Sequence, residues 1–398
     1  MKIVIIGNGV AGISTAKELV ESAKSASVEV YTEENYLYYS KIDLIKLLAG
    51  KINLEEIFFY PAEWYDKHGI KVYLNKKVAK INSGEKTIEL LSGEKISYDQ
   101  LVLTTGAQAN TLPVKGKEKK GVFTLRTIDD VLKIKEHLKE LFALRSPLFA
   151  AVIGGGVLGL EAGRSLSFLG TKVTVVEFFN HLLPRQLDEE GADILKEQIE
   201  KLGIKVLLAK ETVEILGNEK VTGVLFKDGT KIDADLVLFS AGIKANIELG
   251  QTAGLKVNKG IIVDERLRTS AGEIYACGDC AEFQGRIYGI IPAAIEQAKI
   301  VAENLLGKGS IYSGTIPSNT LKVVGIDLTS IGLISADSPE GEEIRKVDPE
   351  KGIYKKIILK DGKIAGAILL GTKTELGRIS RLIKEKTDIS SFKETLLE

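Results

Sequence analysis

The chain opens on an unbroken apolar run, KIVII, that stops at Gly7. Helical spacing of apolar positions follows in VAGISTAKELVESA, and a second buried run, VEVY, comes after it. A β-branched run ended by glycine, then a 3.6-residue period, then another β-branched run predicts a βαβ unit. The same order returns in AAVIGGGVLGLEAGRSLSFLGTKVTVVE. After each unit comes a hairpin signal, LSGEKISY in the first half and FKDGTKID in the second. Each hairpin leads into a buried strand with a small-residue end, LVLTTGA and LVLFSAG. The duplication therefore covers whole domains and predicts two nucleotide-binding halves. TLPVKGKEKKGV reads as a Lys- and Gly-rich connection between them, and IPSNTLKV marks a later boundary near Pro317. Beyond it, TLKVVGIDLTSIGLI, IYKKIILKDGKIAGAILL and TELGRISRLIKEK predict a small α+β C-terminal domain.

The two glycine turns carry the first chemistry. In GNGVAG, Gly7 permits the turn out of the strand, Gly9 lets backbone approach a pyrophosphate, and Gly12 allows close helix–strand packing; Gly154, Gly156 and Gly159 repeat the pattern. The helix N-termini add unpaired N–H groups and a positive dipole end for phosphates. In the second copy the strand ends at Glu177, whose carboxylate suits the hydroxyls of an adenosine ribose. Phe178, Phe179 and Asn180 follow with no cation for a 2′-phosphate, so NADH is expected over NADPH. In the first copy Thr32 stands where an acid is usual. Glu33 is the expected ribose ligand there, with Glu34 as the alternative. A third segment, TSAGEIYACGDCAEF, predicts a short strand ending at Gly278, with Asp279 suited to the hydroxyls of a ribityl chain.

Composition narrows the class. With 398 residues the chain has room for two or three domains and a large cofactor; 54 basic residues balance 54 acidic ones, against nucleic-acid or anionic-membrane binding. The apolar start is too short for a signal peptide or membrane span, which gives a cytoplasmic expectation. Two cysteines and three scattered histidines offer no metal-ligand spacing, so redox chemistry here needs an organic cofactor. One Met, two Cys and abundant Lys and Glu fit a heat-adapted source.

GNGVAG, LVLTTGA, GGGVLGLE and TSxxxIYACGD together resemble the two-dinucleotide-domain flavoprotein reductases of the glutathione-reductase superfamily, over nearly the whole chain. The resemblance implies an α/β fold of two Rossmann-type domains, the NAD domain inserted in the FAD domain. The segments would be 1–112 (FAD), 113–241 (NAD), 242–315 (FAD, second part) and 316–398 (C-terminal α+β). It places FAD on Gly7, Gly9, Gly12, Glu33, Thr105, Gly106, Gly278 and Asp279, with the helix from Pro292 aimed at the flavin; Val10, Ala11, Lys41, Val78 and Thr104 are further cofactor-binding candidates. NADH falls to the central copy with Gly154, Gly156, Leu158, Gly159 and Glu177, and Gly242 is a further cofactor-binding candidate. Glu161 and Lys46 resemble a carboxylate–lysine pair that serves the flavin in relatives.

The superfamily's disulfide reductases carry reactive cysteine in the segment after the second strand, which here reads YLYYSKIDLIKLL, without cysteine. Cys277 and Cys280 have CxxC spacing but bracket Asp279, and are expected to be inert buried thiols. YYSKIDL, WYDKHGIKV, TLRTIDD and RQLDEEG resemble NADH:rubredoxin reductases and the flavin module of NAD(P)H nitrite reductases. The expected function is hydride transfer from NADH to FAD, then electron delivery to a small redox protein, rubredoxin or ferredoxin. The alternatives are an NADH oxidase, the flavin component of a nitrite-reducing system, and an FAD/NAD-binding signalling protein.

Overall fold

The computed structural model describes residues 1–22, 27–316, 318–335 and 342–397. The strand–turn–helix–strand order is present in both halves, in two compact units. The first comprises Met1–Leu44, Ile52–Gln108 and Ile243–Thr315; the second comprises Ile45–Lys51, Ala109–Gly242 and Ile316–Glu398.

In the first unit the Lys2–Ile6 strand pairs in parallel with Ser27–Tyr31 on one side and Gln100–Leu103 on the other. Ile70–Tyr73 and Ile274–Ala276 complete the parallel sheet at its two edges. Parallel neighbours need a crossover, and the Val10–Ser22 helix supplies it. Ala11, Ile13, Ala16 and Leu19 of that helix are buried in the same core as Ile3, Val4 and Ile5. The Ile291–Leu305 helix packs against it. Cover on both sheet faces is why KIVII reads as a continuous apolar run without alternation. An antiparallel meander, Val78–Asn82, Thr87–Leu90 and Lys95–Ser97, realises the first hairpin signal.

The second unit repeats the plan. Its parallel sheet runs Lys205–Leu207, Thr171–Val176, Leu148–Ile153, Leu236–Phe239, Val122–Thr124, with the Val157–Phe168 helix as crossover. The second hairpin signal becomes Gly223–Phe226 paired with Lys231–Asp233. The same unit contains a five-stranded antiparallel sheet in the order Ser318–Val323, Ile326–Gly332, Lys363–Leu370, Ile353–Lys360, Glu342–Asp348. The Leu376–Glu385 helix covers it over Ile357, Leu359, Ala367 and Leu369.

Polar contacts join this sheet to the dinucleotide fold. Asp188 caps the Glu189–Lys201 helix by accepting from the Gly191 N–H at 3.1 Å, and also receives the Tyr354 hydroxyl at 2.6 Å and Lys356 Nζ at 2.9 Å. Lys356 meets Glu343 at 2.8 Å as well. Ile45–Lys51 groups with this unit because Ser165 Oγ donates to the Ile45 carbonyl and Lys135 Nζ to that of Leu47. The expected boundary residue Pro317 lies outside the described residues.

Candidate dinucleotide sites

The two glycine turns match bond for bond. Gly7 N–H donates to the Tyr31 carbonyl and Gly154 N–H to that of Val176, each at 2.8 Å. Both glycines have left-handed φ, +110° and +122°, and a Cβ on either would come within 2.3 Å of the facing Thr104 or Ser240 carbonyl oxygen. A Cβ on Gly12 or Gly159 would press onto the carbonyl of its own turn at 2.1 or 2.0 Å, so these positions hold helix against strand. Gly9 and Gly156 are different: nothing lies within 4 Å of a Cβ there. That open flank is where a pyrophosphate must approach. Neither crossover helix has an acid in its first turn, and Gly156 caps the second without a side chain. Their N–H groups and positive dipole ends are left for an anion.

Around the first turn, Thr104 is buried with its hydroxyl on the Ile6 and Gly7 carbonyls at 3.0 and 2.9 Å. Thr105 and Asn246 exchange hydrogen bonds, Oγ1 to carbonyl at 3.0 Å and Nδ2 to carbonyl at 2.7 Å. Gly106, at φ +64°, accepts from the Asn246 N–H. Gly278 donates its N–H to Gln297 Oε1 at 2.8 Å, and a Cβ on it would meet that of Ala11 at 2.8 Å. Asp279 follows, half-buried. Pro292 stands in the first turn of its helix, which has no acid there and no side-chain cap. Val78 is buried at the start of the meander. Val10 and Ala11 open the crossover helix. Glu33 is exposed and paired with Lys77 at 2.7 Å, whereas Glu34 receives Lys41 Nζ at 3.1 Å and the Tyr39 hydroxyl at 2.5 Å.

In the second turn Glu177 is buried. Its Oε2 accepts from the Gly155 N–H at 2.6 Å and its Oε1 from the Phe179 N–H at 2.9 Å. Phe178 and Phe179 project into solvent edge-to-face. Leu158 lies in the helix's first turn, 38% exposed. Gly242, at φ +86°, accepts from the Asn110 N–H. Glu161 Oε1 accepts the Val324 N–H at 2.5 Å, from the turn joining the first two strands of the antiparallel sheet. Burial pushes its pKa up against that bond and the charges of Lys51 and Arg164. Lys46 is exposed on the Leu44–Leu48 helix. Asn246, Gln297, Lys51 and Arg164 carry no motif, and a lone polar residue in a loop or helix gives sequence reasoning no handle.

A family model described as pyridine nucleotide-disulphide oxidoreductase matches residues 1–298, and one described as rubredoxin NAD+ reductase C-terminal domain matches 317–387. The chain belongs to the pyridine nucleotide-disulphide oxidoreductase family. It is 32% identical to an NADH-rubredoxin oxidoreductase of Clostridium acetobutylicum over 93% of this chain and 91% of that one. The crystal structure of the Clostridium acetobutylicum NADH:rubredoxin oxidoreductase superposes with a TM-score of 0.81 at 30% identity, covering 100% of this chain and 98% of that one. A nitrite reductase [NAD(P)H] of Bacillus subtilis is 38% identical over 98% of this chain and 48% of its own length. The chain spans about half the length of the nitrite reductase relatives it matches.

Members of this family bind FAD and a nicotinamide dinucleotide, and the match to it spans both glycine turns of this chain. Its residues fit both cofactors. Each turn leaves a glycine flank open beside a helix start that has no acid in its first turn. In the first, the Asn8 carboxamide is buried with neither Nδ2 nor Oδ1 partnered among the described residues. The disulphide of the family name has no counterpart in accessible thiols. Cys277 and Cys280 are fully buried, one against Thr15 Oγ1 at 3.7 Å and the other donating to the Leu103 carbonyl at 3.3 Å. Burial pushes both thiols above their ordinary range, which suppresses the thiolate that redox exchange needs.

Proposed function

We propose that this oxidoreductase takes hydride from NADH and delivers electrons to a small iron–sulfur carrier of the rubredoxin class, with no cysteine in the cycle. The duplicated glycine turn with its open flank carries the reading: one chain offers two sites for two different dinucleotides. Bound FAD supplies a group that accepts electrons in a pair and gives them up singly. The chain's part is to bind and orient. FAD is assigned to Gly7, Gly9, Val10, Ala11, Gly12, Glu33, Lys41, Val78, Thr104, Thr105, Gly106, Gly278 and Asp279. The positive end of the helix at Pro292 favours negative charge on reduced flavin.

NADH is assigned to Gly154, Gly156, Leu158, Gly159, Glu177 and Gly242. Two backbone N–H groups aim the Glu177 carboxylate before any ribose arrives. Glu161 and Lys46 are the side chains proposed to serve the hydride step. The match to a rubredoxin NAD+ reductase C-terminal domain supports the carrier. Anaerobic NADH turnover with rubredoxin, with ferredoxin and, in air, with oxygen tests this. Rubredoxin is expected to be reduced fastest. Equal turnover in air without a carrier would replace this reading with an NADH oxidase.

A further inference from the structure

The duplicated turns differ at one position with a steric consequence. Thr32 and Glu177 are equivalent: their N–H groups donate to the Tyr73 and Leu207 carbonyls, and their own carbonyls accept from Lys76 and Lys210. The match continues two residues on, where Glu34 and Phe179 carbonyls accept from Asn75 and Ala209, both left-handed. Even the side-chain bond is kept. The Glu34 N–H donates to Thr32 Oγ1 at 3.3 Å, as the Phe179 N–H does to Glu177. By the same alignment Asn8 stands where Gly155 stands, and Glu33 where the exposed Phe178 stands.

In the second turn, a side chain at position 155 and the strand-end acid exclude each other. A Cβ on Gly155 would meet Leu182 Cδ2 at 2.6 Å, Glu177 Oε2 at 2.9 Å and Glu177 Cβ at 3.1 Å. In the first turn the acid is shortened to Thr32, and position 8 carries a carboxamide, so the direction filled by carboxylate in one copy is filled by amide in the other. Asn8 is only 9% exposed, and both polar atoms of its side chain lack partners among the described residues. Leaving such a group buried and unpaired is unfavourable, because it has given up water and gained no partner. A ligand that satisfies it recovers that cost.

We infer that Asn8 binds the adenosine ribose of the dinucleotide held at the first turn, standing in for the strand-end acid. Oδ1 accepts from one ribose hydroxyl, and Nδ2 donates to the oxygen of its neighbour. The inference rests on the assignment of FAD to this turn.

The test uses holoenzyme, diluted until free-flavin fluorescence reports the FAD dissociation constant. N8G is safe for the fold, because glycine is what the duplicate turn carries. It should weaken FAD roughly tenfold, the value of one or two neutral hydrogen bonds. N8G/T32E transplants the second turn's glycine–acid pair and should restore binding. FAD lacking both adenosine ribose hydroxyls should bind wild type more weakly than FAD does, and bind N8G as FAD does. Equal FAD binding by wild type and N8G, failure of T32E to restore it, or unchanged discrimination against the analogue in N8G would each overturn the inference alone. Wild-type protein that holds no FAD would overturn the assignment of FAD to this turn, and the inference with it.

Discussion

Glu177 shows how much one side chain settles. Its carboxylate is fixed by two N–H groups beside two exposed phenylalanines, so a 2′-phosphate would meet a fixed negative charge and no cation. Lys210, next to its backbone, is occupied by Asp228 and Thr230. NADH should therefore be used in preference to NADPH, and E177A/F178R should reverse the order; kcat/KM for both nucleotides measures it, and a wild type faster with NADPH would remove Glu177 from the ribose. His137 supplies a second prediction. Its Nε2 faces the Asp235 carbonyl at 3.2 Å, its Nδ1 has no partner among the described residues, and burial, with Lys120, pulls its pKa below 6.5. The unfolded chain takes up the proton that the fold resists. Stability is thus lost as pH falls below the ordinary histidine value toward the lowered one, and urea midpoints compared at pH about 7.5 and 5.5 should drop less in H137F than in wild type. At this scale the sequence displayed the glycines, Glu177 and Asp279 because fixed spacing exposes them. Asn8 was hidden inside a motif whose variable positions are read as blanks. Its meaning appears only when it is set against Gly155 and the space that Glu177 fills.

The secondary-structure elements were legible wherever period and punctuation agreed. The βαβ units, both hairpins and the antiparallel C-terminal strands are found where alternation and glycines put them. Less legible was the reason for RQLDEEG, which on sequence is only a likeness to relatives. In the fold its Asp188 caps a helix and receives Tyr354 and Lys356 from the antiparallel sheet, a pairing across more than a hundred and sixty residues that no local pattern reveals. Burial raises the Asp188 pKa, but the bonds from Tyr354, Lys356 and Gly191 outweigh it and hold it low. That contribution to stability is present above the ordinary carboxylate value and is lost as pH falls through the depressed one. Lys356 is drawn down by burial and, more strongly, up by Glu343 and Asp188. K356M leaves two carboxylates facing an apolar chain and should destabilise the second unit by about 3 kcal/mol. Thermal unfolding at neutral pH checks this, and an unchanged midpoint would mean that the pair only breaks even against its desolvation.

For the whole molecule, the absence of accessible thiols sets the electron count. A C277A/C280A variant that keeps its FAD should turn over NADH and carrier at the wild-type rate, with some loss of stability from the small voids left in the core. Anaerobic titration should consume two electrons per FAD in both proteins; four in wild type falling to two in the variant would bring back a dithiol. The division into two units also fixes an order of events during synthesis. Every strand of the second parallel sheet has been delivered once Phe239 is made, whereas the first sheet waits for its edge strand, Ile274–Ala276. At ordinary elongation rates that is a lag of about 2–7 s. Over that interval the amino-terminal half of the chain is the younger fold, its apolar Lys2–Ile6 strand already made but its sheet one strand short, and this half is what a chaperone or a protease would meet first.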